Sequence, residues 1–211
     1  LKSKKVGVFC DDSNLYHAYQ KYGWRVDIGK LRKLLEEYCD LEFLNYYIVI
    51  PARSDAVGRG TQSFLYNISA FATVKKKELK YTPVGGQVVK KGNMDVEIAL
   101  DVVRTIENLD VVIIVSGDSD FYELKNYVVN DKNKKIVFVG YEENMAWELR
   151  QCWHIYVNRI RDEIGSHRRA GLNCRRACLR SGAFGRRVGS RSFFATEGRP
   201  RIWKDAFYRM E

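Results

Sequence analysis

No apolar run in this 211-residue chain approaches the roughly 20 residues that span a bilayer. The basic start Leu1-Lys2-Ser3-Lys4-Lys5 leads only into a short apolar segment that ends at Asp11, so no membrane partner is expected and the chain reads as cytoplasmic. The five cysteines are an odd number and close no disulfide framework, and Cys10, Cys39 and Cys152 sit in apolar or amphipathic contexts that fit the same compartment. Neither G-x-G-x-x-G nor the Walker pattern occurs, which argues against nicotinamide and P-loop enzymes. A D-x-D nucleophile motif is also missing after the first strand, where Asp11-Asp12-Ser13-Asn14 stands instead, and this disfavours a phosphatase. No internal repeat is visible.

Positive charge is abundant but concentrated in one place. Residues 166–211 hold 12 Lys and Arg, eleven of them Arg, against the three acids Glu197, Asp205 and Glu211. They therefore carry +9 of the formal net charge of +10, and the remainder is nearly neutral. The basic pI is a property of this segment and not of a binding face on the body. Two parts are expected: an α/β domain over 1–165 and an Arg-rich, disordered tail over 166–211. Cys174 and Cys178 with His167 upstream lack the second half of a zinc site. An RNA-binding arm, a solvated extension and a terminus without a role all remain open for the tail.

The body alternates strand-like and helix-like segments, the pattern of an α/β three-layer sandwich with a mostly parallel central sheet, Rossmann-like in its layering. Strands are predicted over 5–10, 41–50, 79–84, 111–115, 136–139 and 154–157. Helices are predicted from Asp12 or Ser13 to Tyr22, from an Asp27 cap through Tyr38, over 58–76, over 95–108, through 121–128 and over 145–151. For the 95–108 helix the expected buried stripe is Val96, Ala99, Leu100, Val103 and Ile106, and residues 90–93 read as a loop.

Val111-Val112-Ile113-Ile114-Val115 is a continuous β-branched run, as in a parallel strand buried on both faces. Directly behind it, Ser116-Gly117-Asp118-Ser119-Asp120-Phe121 sets two carboxylates where open α/β sheets place their sites. Two further segments bring acids to the same expected edge: Asp11 and Asp12, with Asn14, behind the first strand, and Asp95, with Glu97 and Asp101, at the start of the 95–108 helix. Acids that converge without His or Cys favour a hard, oxygen-loving ion such as Mg²⁺ or Mn²⁺. Plainer roles stand beside this one. Asp12 or Ser13 can cap the first helix, Ser119 is the expected cap within 116–121, and Glu97 and Asp101 share a helix face that Arg104 can neutralise. Asp11 is the hardest to explain otherwise, because a carboxylate at the buried end of a strand needs a partner.

Phe9-Cys10-Asp11-Asp12-Ser13-Asn14-Leu15, Lys91-Gly92-Asn93-Met94-Asp95-Val96-Glu97-Ile98-Ala99-Leu100-Asp101 and Val115 to Phe121 resemble, in order, the three signature blocks of LabA-like NYN domains, which have the PIN-like nuclease fold. The similarity covers roughly residues 4–160, and Asp12 stands where the family commonly has glycine. The resemblance implies a metal-dependent ribonuclease in which Asp11, Asp95, Asp118 and Asp120 are the acidic, metal-holding and catalytic set, with Asn14, Ser116 and Asp101 in support. It also implies cleavage that leaves a 5′-phosphate and a 3′-hydroxyl. RNA is the expected partner, and a homodimer is a candidate assembly. For the substrate's phosphates the available cations are Lys90 and Lys91, Lys75-Lys76-Lys77 with Lys80, and Arg53 and Arg59. The alternative is a non-catalytic nucleic-acid-binding or regulatory module on the same fold.

Overall fold

The computed structural model describes residues 4–50, 59–84 and 87–167. Along the chain run β1 (Lys5–Asp11), α1 (Asp12–Tyr22), β2 (Trp24–Val26), α2 (Ile28–Tyr38), β3 (Asp40–Ile50), α3 (Arg59–Ser69), β4 (Thr73–Glu78), β5 (Lys80–Val84), β6 (Gln87–Lys91) and α4 (Asp95–Thr105). They are followed by β7 (Val111–Val115), α5 (Tyr122–Asn126), β8 (Lys135–Gly140), α6 (Trp147–Arg150), β9 (His154–Tyr156), α7 (Arg161–Ile164) and β10 (Gly165–His167). Among these helices none is long and apolar enough to cross a membrane.

Six strands form one parallel sheet in the order β4-β3-β1-β7-β8-β9. The chain builds outward from β1 through β3 to β4, then returns to the other side of β1 with β7. The order therefore reverses between β1 and β7, which pair from Val6 opposite Val111 to Cys10 opposite Val115. A crevice opens at such a reversal, beyond the carboxyl ends of the two strands. The fold is an α/β three-layer sandwich of the PIN-like, Rossmann-like kind.

The run 111–115 is buried along its whole length, as its composition demands, and it feeds two cores. Val111, Ile113 and Val115 pack with Leu15, Ala18, Leu31, Leu35 and Ile68 from α1, α2 and α3. Val112 and Ile114 pack with Ile98, Val102, Leu124 and Leu149 from α4, α5 and α6. Each side chain so buried contributes about 1.5–3 kcal/mol, and this stack fixes the β1–β7 edge in place.

Several local expectations are corrected. The helix predicted over 58–76 ends at Ser69, and residues from Thr73 on form the edge strand β4, where Lys75, Lys76 and Lys77 discourage further strand pairing. Strands β5 and β6 pair antiparallel with each other, so the expected third strand lies outside the parallel sheet and Lys90 and Lys91 belong to a strand, not a loop. The small β2–β10 pair has no signal in the hydrophobic pattern.

The stripe expected on α4 holds only in part. Ile106 is buried and Ala99 packs partly buried on the core as expected, whereas Val96, Leu100 and Val103 are 62%, 46% and 44% exposed and Ile98 and Val102 are buried in their place. Asp95 stands three residues before Ile98 and seven before Val102, on the same helix face. The face that packs on the sheet is thus the face that delivers Asp95 to its edge. The Arg-rich tail beyond residue 167, with Cys174 and Cys178, lies outside the described residues.

Candidate active site

Asp11 ends β1 with 2% of its surface exposed. It, and not Asp12 or Ser13, caps α1: its Oδ1 accepts from the Ser13 backbone N–H at 3.0 Å and from the Ser13 hydroxyl at 2.7 Å. Its Oδ2 accepts from the buried Ser116 hydroxyl at 3.1 Å, across the β1–β7 boundary. Both oxygens of the carboxylate are therefore oriented by hydroxyl and amide donors.

The turn after β7 is built around Ser116 and Gly117. The Asp118 N–H donates to Ser116 Oγ at 3.3 Å, and the Gly117 N–H donates to Asn14 Oδ1 at 3.1 Å. Asp118 then caps the short 3₁₀ turn Ser119–Phe121, accepting from the Asp120 N–H at 3.2 Å, so capping falls to Asp118 and not to Ser119. Gly117 is required by space. A Cβ there would lie 2.6 Å from the Asn144 carbonyl oxygen, and the Gly117 carbonyl accepts from the Ala146 N–H at 2.9 Å. Gly117→Ala is expected to push the turn off the Asn144–Ala146 segment and cost about 1–3 kcal/mol, read as a lowered midpoint in urea unfolding.

Asp95, at the start of α4, completes the arrangement. Asn93 Nδ2 donates to its Oδ2 at 2.6 Å. The Asp95 carboxyl is nonetheless pushed up to about 6, first by burial and then by the negative charges of Asp11, Asp118 and Asp120. Four acids from three separate segments thus share one electrostatic neighbourhood. Among the described residues, no three His, Cys, Asp or Glu side chains stand at metal-ligand spacing. The donor chemistry nevertheless fits a divalent cation: every group is a carboxylate, and their mutual repulsion is the charge such an ion would neutralise.

Asp101 is not brought into this set. It accepts from the Tyr47 hydroxyl at 2.9 Å and pairs with Arg104 at 3.2 Å and Lys75 at 3.5 Å, which ties α4 to the sheet. Glu97 pairs with Lys77 at 2.6 Å. Asp12 points into the opposite layer, where Tyr46 donates a hydrogen bond to it and burial pushes its carboxyl above the usual range. Asn14 and Ser116 do lie at the site, bracing the turn and Asp11 respectively. The side chains of Arg59, Lys90 and Lys91, and all of Arg53, lie outside what the structure describes.

Two contributors escaped the sequence reading. Ser13 and Asn93 each hold a site carboxylate from two residues away, a short-range Asx-type pattern that was legible in the spacing.

The family model of the NYN domain matches residues 5–158. The chain belongs to the NYN domain family. NYN domains have a PIN-like nuclease fold, whose members typically use divalent metals, and membership points to nucleic acid as the partner class. Low amplitude and bright protein LabA of Synechococcus elongatus is 27% identical over 159 residues, which are 75% of this chain and 85% of that protein, so this is a LabA-like NYN domain. The crystal structure of a Vibrio parahaemolyticus protein of unknown function superposes with a TM-score of 0.64 at 21% identity, covering 74% of this chain and 94% of that one. That likeness bears on the fold alone.

Proposed function

We propose that this NYN domain hydrolyses phosphodiester bonds of RNA at the carboxyl ends of β1 and β7, with Asp11, Asp95, Asp118 and Asp120 holding one or two Mg²⁺ or Mn²⁺ ions. The observation that carries the reading is the convergence of acids from three segments on the β1–β7 edge, where Ser116 binds Asp11 and Asn14 binds the Gly117 amide ahead of Asp118, and Asp95 feels the negative charges of the other three. Repulsion of this kind is retained at a cost in stability and is relieved by a cation. When bound, such an ion supplies an activated water and neutralises charge growing on the phosphate.

The residues of the chain have separable tasks. Ser13 and Ser116 fix the orientation of Asp11, and Asn93 fixes that of Asp95. Asn14 holds the Gly117 amide and so sets where Asp118 and Asp120 begin. Asp101, engaged by Tyr47, Lys75 and Arg104, positions α4. No side chain is needed as a nucleophile.

The alternative is a module on the same fold that binds nucleic acid without turnover. Cleavage of a labelled RNA with Mn²⁺ or Mg²⁺ separates the two. Wild type is expected to cut only with the metal, and Asp118→Asn to lose about 100-fold or more of the rate. RNA binding by the wild type without any metal-dependent cleavage rejects the nuclease.

A further inference from the structure

Charge along the surface beside the acidic centre is segregated. The groove next to Asp95 has a volume of about 650 Å³, and its charged lining residues are Asp95, Asp120, Glu123 and Glu148. All four are acids. Asn93 lines this groove and also a second hollow of about 370 Å³, whose charged lining residues among those described are Lys77 and Lys80. Asn93 is therefore a partition with carboxylates on one side and ammonium groups on the other.

The lysine side is a built feature. Lys77 Nζ donates to the Asn93 carbonyl at 3.1 Å and to Glu97 Oε1 at 2.6 Å, which fixes it against the loop that leads to Asp95. Glu97 neutralises part of that charge, and Lys80 adds a further positive charge on the exposed side. The β5–β6 register then sets Lys91 opposite Lys80. On the other side, Glu123 and Glu148 add negative charge beyond the four acids of the proposed centre.

A metal held by four carboxylates can accept the scissile phosphate, but the neighbouring phosphates of the strand need cations of their own. They are attracted on the Lys77 and Lys80 side and repelled on the Glu123 and Glu148 side. We infer that an RNA strand leaves the acidic centre over Lys77 and Lys80, with Lys80 as the phosphate contact, and that Glu123 and Glu148 keep phosphates off the opposite end of the groove. The inference rests on the nuclease reading for the place of the scissile bond, while its test is one of binding.

Binding of a fluorescein-labelled oligouridylate to the full chain is read by anisotropy across a salt series, in an Asp118→Asn background so that no strand is cut. Lys80→Glu is expected to weaken binding about tenfold and to reduce the slope of log Kd against log salt by about 0.7, one single-strand phosphate contact. Lys80→Arg is expected to retain the wild-type slope. Glu123→Gln is expected to leave binding equal or tighter. An unchanged Kd and slope in Lys80→Glu, or weaker binding in Glu123→Gln, overturns the inference even if wild type cuts RNA. Weakened binding by Lys80→Glu in a protein that never cuts supports the lysine track and rejects only the nuclease.

Discussion

Asp11→Asn is expected to remove metal-dependent cleavage, by about 100-fold or more, while leaving the fold in place. The amide has the shape of the carboxylate, and its oxygen can still accept from the Ser13 N–H and hydroxyl that cap α1. On the other side its NH₂ would face the Ser116 hydroxyl, which can rotate from donor to acceptor. What is lost is the negative charge at the buried end of β1, the donor least able to be replaced by water because only 2% of the residue is exposed. The check is cleavage together with Mn²⁺ titration calorimetry and thermal unfolding. A variant that unfolds at the wild-type temperature, binds Mn²⁺ as tightly and still cuts would remove Asp11 from the site.

Asp95→Asn is expected to make the metal-free protein more stable at neutral pH. Asp95 holds its proton to about pH 6 in the folded state against an ordinary value of 3.8, with burial the larger cause and Asp11, Asp118 and Asp120 the rest. A folded state that binds the proton more tightly than the unfolded chain gains stability below about pH 4, and loses it as pH rises through 6. Above that the ionised carboxylate is a liability. The group is partly exposed, so solvent screening reduces the effect to about 1 kcal/mol. Urea unfolding in EDTA should show the variant gaining on wild type between pH 4 and 7, and the gain should reverse when Mn²⁺ is added. A stability difference that does not vary with pH would mean that folding does not raise the proton affinity of Asp95.

The parallel sheet and the edge at which the candidate acids gather were legible because of strong local signals. The uninterrupted run Val111–Val115 admits burial on both faces and little else; the carboxylate pair behind it read equally well as a helix cap, and it was Asp11 and Asp95 in two other segments that tipped the reading. The phase of α4 was not legible, because its apolar residues cover more than one face. With Ile106 shared by both, Val96, Leu100 and Val103 form as good a stripe as Ile98 and Val102. Tertiary partners decide between them: the Tyr47 hydroxyl on Asp101 and the packing of Ile98 and Val102 on the sheet fix the rotation. The lysines of Thr73–Glu78 misled for a related reason, since helix propensity is a property of isolated segments and edge protection is a property of the sheet. The exchange of capping roles, with Asp11 in place of Asp12 and Asp118 in place of Ser119, turned on single-residue offsets that residue type cannot resolve.

The reversal of strand order beside β1 also bears on when the acidic centre comes into being. β1 and β7 are neighbours in the sheet, yet the chain from Asp12 to Asp110 lies between them, so their pairing closes one of the longest loops in the domain. Short-range contacts such as α1 on β2 or the β5–β6 pair cost far less chain entropy and can form without that closure. Asp11 therefore meets Ser116 and Asp118 only in a chain that has already made this long-range pairing. An unfolded or half-assembled molecule offers scattered acids and no centre, so whatever free energy a divalent ion contributes there is added to the native state alone.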